Sequence, residues 1–161
     1  MSYGDEGAVG YSTARARDWP SVRQFNVFIE NRVGSLLEVL RQFDSTDIRI
    51  ISFNIVDSAD CAIIRLVLTE PERSLEILQR KGFAVTESDL LVVQVPEGNQ
   101  GLVQICKTLL GAEINIHYAY PLLAGPAGRA ALALHVEDHE TAMQILASNG
   151  FTVFTENDLS T

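Results

Sequence analysis

The sequence predicts an α+β fold: two ferredoxin-like βαββαβ units side by side, with an antiparallel sheet and helices on one face. Two observations carry this. The first is an internal repeat. The run Gly34-Ser35-Leu36-Leu37-Glu38-Val39-Leu40, closing at Asp47-Ile48-Arg49-Ile50, returns about 66 residues later as Gln100-Gly101-Leu102-Val103-Gln104-Ile105-Cys106, closing at Glu113-Ile114-Asn115-Ile116. Gly82-Phe83-Ala84-Val85 and Glu87-Ser88-Asp89-Leu90 return as Gly150-Phe151-Thr152-Val153 and Glu156-Asn157-Asp158-Leu159, with one extra residue in the second copy. The second observation is the hydrophobic period, which alternates between two and about 3.6 residues through each copy.

Taken in order, residues 1–20 are rich in Gly, Ala and Ser and read as a tail, with Tyr11 or Trp19 as possible anchors on the body. From Val22 the chain alternates: Phe25, Val27 and Ile29 share one face, and Gln24, Asn26 and Phe28 the other, as in a strand. Ser35 followed by Glu38 has capping-box spacing, and Leu36, Leu37, Leu40 and Phe43 recur at helical intervals. Gly101 and Gln104 stand at the matching places of the second copy. The run 48–56, the turn 57–60 and the run 62–68 make a hairpin. The segment 71–81 reads as a helix with Pro71 in its first turn, Arg80 and Lys81 at its end and Gly82 as its stop. Residues 83–86 close the unit as a strand. The second copy then repeats the plan with strands at 91–95, 114–120, 130–136 and 151–155 and helices at 101–111 and 138–149. The expected organisation is a tail over 1–20, a first unit over 21–88 and a second over 89–161, with Glu87 to Asp89 as the whole linker.

Each half has about 70 residues, too few to bury a large core alone, so the halves should lean on each other or on a second chain. Apolar residues make up 47% of the sequence and charged ones 20%, a globular rather than disordered composition. With 21 acidic against 12 basic residues and a net charge of −9, the surface would repel a phosphate backbone, which argues against nucleic acid. The longest apolar runs are strand-sized, well short of the roughly 20 residues a membrane helix requires. Cys61 and Cys106 stand at non-equivalent places in the two copies and outside C-x-x-C spacing, and Met1 to Asp18 lacks the apolar core of a secretory signal. These features point to a cytoplasmic protein.

No cofactor, metal or catalytic residue is expected. His117, His135 and His139 are not at metal-ligand spacing and read as strand or surface positions. Cys61, at a strand start, reads as a small buried or half-buried residue, and no Ser or Cys sits in a nucleophile elbow. The feature that stands out is the loop Glu30-Asn31-Arg32-Val33-Gly34-Ser35-Leu36. A helix start leaves backbone N–H groups unpaired, and a glycine there lets a carboxylate approach closely. On the following strand, alternation puts Ile48, Ile50, Ser52 and Asn54 on one face, matched by Ile114, Ile116, Tyr118 and Tyr120. That face turns from apolar to polar, as a pocket rim would.

The run Asn31-Arg32-Val33-Gly34-Ser35-Leu36 resembles the Asn/Asp-x-Pro-Gly-x-Leu turn of the ACT domain, with Val33 in the proline position, and the helix and hairpin strands follow as they do in that family. Two such units in one short chain resemble the stand-alone tandem ACT proteins over about residues 22–159. The resemblance implies a non-catalytic regulatory protein that binds a free amino acid between two ACT units, its carboxylate at the turn and its other groups at the second strand of the neighbour. Carried onto this chain, the ligand-binding residues are Asn31, Arg32, Val33, Gly34, Ser35, Leu36, Asn54, Tyr118 and Tyr120. A possible second site comprises Asn99, Gln100, Gly101 and Leu102, although Glu97 would oppose a carboxylate there. The partners expected are an amino acid and a second copy in a homodimer, with a biosynthetic enzyme as a further partner. A rival reading is the regulatory subunit of an amino-acid biosynthetic enzyme such as acetolactate synthase.

Overall fold

The computed structural model describes residues 21–160; the segment 1–20, with Tyr11 and Trp19, and Thr161 lie outside the described residues. In chain order the elements are β1 (Val22–Glu30), α1 (Ser35–Leu40), β2 (Ile50–Asp57), β3 (Cys61–Leu68), α2 (Pro71–Arg80), β4 (Ala84–Gln94), α3 (Gly101–Gly111), β5 (Ile116–Pro121), β6 (Ala131–Val136), α4 (His139–Ser148), β7 (Val153–Phe154) and α5 (Glu156–Leu159). A 3-10 turn, Arg41–Phe43, extends α1. This is βαββαβ written twice, with one strand shared.

That strand is β4. All its pairings are antiparallel: residues 84–90 pair with β1, 91–94 with β6, and Val92 and Val93 also with β7. It is therefore the last strand of the first unit and the first of the second, in the order β2-β3-β1-β4-β6-β5. Glu87, Ser88 and Asp89, expected as a linker, are ladder residues opposite Phe25, Gln24 and Arg23. No Gly or Pro lies between Gly82 and Pro96, so nothing interrupts the extended run.

Side chains alternate about each sheet. Phe25, Val27, Ile64, Leu66 and Leu78 form a core between the first sheet and its helices, and Leu91, Val93, Ile105, Leu109 and Leu146 form the same core in the second unit. A third core lies between the helix-free faces of the two sheets: Val22, Ile51, Val67 and Leu90 meet Val92, Tyr120, Ala131, Ala133 and Phe154. The layers thus run helix, sheet, sheet, helix. Leu90 and Leu91, adjacent on β4, enter different cores.

Several local expectations are corrected. Ser35 does not cap α1: Gly34 stands at the N-cap with φ 89°, the Ser35 hydroxyl donates to the carbonyl of Glu30 at 2.9 Å, and Glu38 pairs with Arg32. Nor does Gly101 cap α3, which starts at Gly101 itself after Gln100. The four-residue alternation on the second strand of each unit fails at a β-bulge. Register shifts between Ile50 and Ser52, and again between Ile116 and Tyr118. The extra residue turns the strand over, so Ile50 and Ile116 pack under the helices while Ser52 and Tyr118 lie on the side of the inter-sheet seam. What reads as a gradient along one face is a change of face.

The repeat also parts company near its end. Thr86-Glu87-Ser88-Asp89-Leu90 continues β4, whereas Thr155-Glu156-Asn157-Asp158-Leu159 turns into α5 after a two-residue β7. In the second copy Thr155 and Asp158 complete a capping box, with Thr155 N donating to Asp158 Oδ2 at 2.8 Å and Asp158 N to Thr155 Oγ1 at 3.3 Å. In the first copy β1 supplies a ladder, and pairing overrides the cap.

Candidate functional site

The turn after β1 is built by its own contacts. Asn31 Nδ2 donates to Asp57 Oδ1 at 2.6 Å and to the carbonyl of Ser58 at 3.0 Å, tying the turn to the tip of the β2–β3 hairpin. Arg32 pairs with Glu30 at 3.2 Å and Glu38 at 3.4 Å, and these carboxylates raise its pKa. Ser35 is buried. Val33 is wholly exposed, and a Cβ on Gly34 would meet nothing within 4 Å. The turn is thus a rigid rim with an open top, and β2 beside it is an edge strand whose Phe53 and Ile55 are exposed.

Asn54, Tyr118 and Tyr120 come together elsewhere, at the seam between the sheets. Tyr120 is buried and donates to Gln24 Oε1 at 2.5 Å; burial, and then Tyr118 beside it, push its pKa up. Gln24 Nε2 donates to Tyr118 Oη at 2.8 Å and to Asn26 Oδ1 at 2.7 Å, and Asn26 Nδ2 donates on to Ser88 Oγ at 3.0 Å. A buried carboxamide with both N–H donors and its oxygen engaged fixes the facing sheets in one register. Across from it, the Arg65 guanidinium lies 3.7 Å from the Tyr118 ring centroid and donates to Asn54 Oδ1 at 3.3 Å. His135 stacks on the far end of the group, 4.8 Å from Tyr118 and nearly parallel to it, with His117 at 5.4 Å. Burial, and then the charges of His117 and Arg65, hold His135 below the usual histidine range. Its Nδ1 is buried without a hydrogen-bond partner among the described residues.

The expected site residues therefore fall into two groups. Gln24, which holds the tyrosines, lies six strand positions from Glu30, where the turn begins, and that spacing is roughly 20 Å. The turn also leads onto the helix face, whereas the tyrosines lie on the opposite one. Within one chain the turn and the tyrosines do not form a shared pocket. The sequence reading does not place Arg65 or Gln24 in the site and takes His135 as a strand or surface position; alternation on β1 and β3 puts Gln24, Asn26 and Arg65 on the face away from the helices.

The second turn differs from the first. Gln100 has φ −106°, the positive φ falls at Gly98, and a Cβ on Gly101 would stand 2.3 Å from the Pro96 carbonyl oxygen. Close packing replaces the open top. A cleft of about 320 Å³ beside it is lined by Pro96, Gln94, Gln104 and Asn149. Another, of about 360 Å³, opens between Arg49 to Ile51 of the first unit and Leu123 to Ala127 of the second. Cys61 is exposed, not buried as expected, because it begins β3 at the hairpin tip; Cys106 is exposed too.

Two βαββαβ units fused through one strand are a pair of the same small domain. The family model described as ACT domain pair matches residues 20–161, and the chain belongs to that family. Its fold is similar to that of protein BT0572 from Bacteroides thetaiotaomicron, 21% identical with a TM-score of 0.79 over 88% of this chain and 96% of that one. The regulatory subunit of aspartate kinase from Thermus thermophilus, in its ligand-free form, is 12% identical with a TM-score of 0.56 over 84% of this chain and 96% of that one. The corresponding subunit from Thermus flavus is 11% identical with a TM-score of 0.51, over 83% and 94%. At such identities the likeness concerns the fold. No curated protein sequence matches the chain.

Proposed function

We propose that this protein is a non-catalytic regulator that binds a free amino acid at the turn formed by Asn31 to Leu36, with a second copy of the chain closing the site. One observation carries the reading: the turn keeps a left-handed Gly34 and a wholly exposed Val33 beside β2, an edge strand among the described residues with Phe53 and Ile55 exposed. Backbone N–H groups at the start of α1 would take the carboxylate, and the β2 edge of the neighbouring copy would supply the other wall. The closer packing at Gly101 supports an unequal pair of turns, with the first as the working one. The halves divide within β4, and unpaired cysteines suit a reducing cytoplasm.

Calorimetric titration with the twenty amino acids tests this. At least one should bind at millimolar concentration or tighter, and Gly34→Asp should remove that binding while Gln100→Asp does not. Absence of any binder would overturn the reading.

A second reading is favoured by Leu102, Val103 and Leu110, which are exposed on α3. Such a face suits an interaction subunit of an amino-acid biosynthetic enzyme, the arrangement named for the aspartate kinase subunits of similar fold. A hetero-complex that forms by size exclusion without any amino acid would favour it.

A further inference from the structure

The helix-free face of the first sheet is covered by the second unit along Val22, Ile51, Val67 and Leu90, and comes into the open past Arg65. There Phe28 is 40% exposed, and its cross-strand neighbour Ile63 and the next one across, Val56, are half-buried. These three lie two positions along their strands from Asn26, Arg65 and Asn54, on the same face. An apolar shelf therefore adjoins a guanidinium.

Arg65 differs from the arginines that form ion pairs. Arg23, Arg32, Arg73 and Arg80 each meet a carboxylate, whereas Arg65 meets none among the described residues, in a chain with 21 acidic side chains. Its face is held on Tyr118 and one N–H on Asn54, leaving further N–H donors of a planar fork that matches a carboxylate. The titratable groups acting on His135 beside it are His117, His139 and Asp89, which accepts from Ser21 at 3.0 Å, and Glu30 follows Phe28 two positions along the same face of β1, paired with Arg32 at 3.2 Å.

We propose that Arg65, between Asn54 and the shelf of Phe28, Ile63 and Val56, anchors a binding site for a small monocarboxylate with an apolar tail. The carboxylate meets the guanidinium fork, and the tail lies along the shelf. An α-ammonium is disfavoured because it would sit beside Arg65 and the histidines with no carboxylate touching Arg65 to receive it. A multiply charged anion gains nothing from the shelf and is repelled by the net charge of −9. The site is separate from the turn, and lies on the opposite face of the same sheet.

The test follows the ring C–H signals of His117 and His135 by NMR in the full chain. The additions are phenylacetate, isovalerate and acetate at constant ionic strength, with leucine, inorganic phosphate and sodium chloride as further arms. The two tailed acids should give saturable shifts, with acetate about tenfold weaker for want of the tail. Leucine should be weaker than isovalerate, and Arg65→Gln should abolish the response with the circular-dichroism spectrum retained. Phe28→Ser should shrink the preference for phenylacetate over acetate, and decides the matter if Arg65→Gln does not fold. The proposal is overturned by shifts that persist in Arg65→Gln, by phosphate binding more tightly than isovalerate, by an equal response to chloride, or by no saturable response. Amino-acid binding lost in Gly34→Asp but kept in Arg65→Gln keeps the two sites distinguishable.

Discussion

Arg23 on β1 and Glu156 on α5, 133 residues apart in sequence, form a two-point ion pair, with Nε to Oε2 at 2.9 Å and a terminal nitrogen to Oε1 at 3.1 Å. The Arg23 backbone N–H also donates to Glu156 Oε2 at 2.9 Å, and Glu72 takes another guanidinium bond at 2.7 Å. The side chains of Arg23 and Glu156 are 9% and 14% exposed, whereas Glu72 is 75% exposed. Removing the Glu156 charge leaves a largely buried cation short of a partner, so Glu156→Gln should cost about 2 kcal/mol in urea unfolding. Glu72→Gln should cost under about 1 kcal/mol, because water already screens that partner.

The seam should weaken in mild acid. His135 is held below its unfolded value by burial and by His117 and Arg65, so the unfolded chain binds its proton first. Stability is then full above the unfolded histidine range, falls as pH drops through about 6.5, and levels off below the depressed folded value. Thermal melts at stepped pH should show this slope, and His135→Gln should flatten it. An unchanged slope in that variant would assign the effect to other groups.

Glycines of the two turns should respond for different reasons. Gly34→Ala meets open space but must hold φ 89°, costing about 1–2 kcal/mol. Gly101→Ala drives a methyl to 2.3 Å from the Pro96 carbonyl oxygen, so the chain must shift, costing about 3 kcal/mol or more. Chemical denaturation of the two variants compares them directly.

The paired threonines give a within-protein control. Thr155→Ala removes the hydroxyl of a capping box and should cost about 1 kcal/mol. Thr86→Ala, at the matching place in the repeat, removes one 3.2 Å bond from Asn26, which keeps its bond to Ser88, and should cost less. Equal losses would mean that the capping box contributes no more than the single Asn26–Thr86 bond.

Much of this architecture was legible in order alone. The repeat announced two units, and alternation on β1 divided Phe25 and Val27 from Gln24 and Asn26 as the cores divide them. What escaped depends on contacts between distant segments. A bulge adds one residue and leaves no compositional mark, so the reversal after Ile50 and Ile116 was hidden and Tyr118 was assigned to the wrong neighbours. Thr86 and Thr155 head nearly identical strings, and only the presence or absence of a long partner strand decides between ladder and helix. Arg65 carries no local signal, since its significance lies in what stands opposite, and Tyr118 is 53 positions away in the numbering of the chain.

The shared strand β4 makes each half dependent on the other for its middle layer. Cutting the chain between Leu90 and Leu91 would strip each half of its contact with the other across the middle layer, exposing Val22, Ile51 and Val67 on one fragment and Val92, Ala133 and Phe154 on the other. The halves are joined twice over, by the eleven unbroken residues of β4 and by the grip of Gln24, Ser52 and Arg65 on Tyr120, Pro121 and Tyr118.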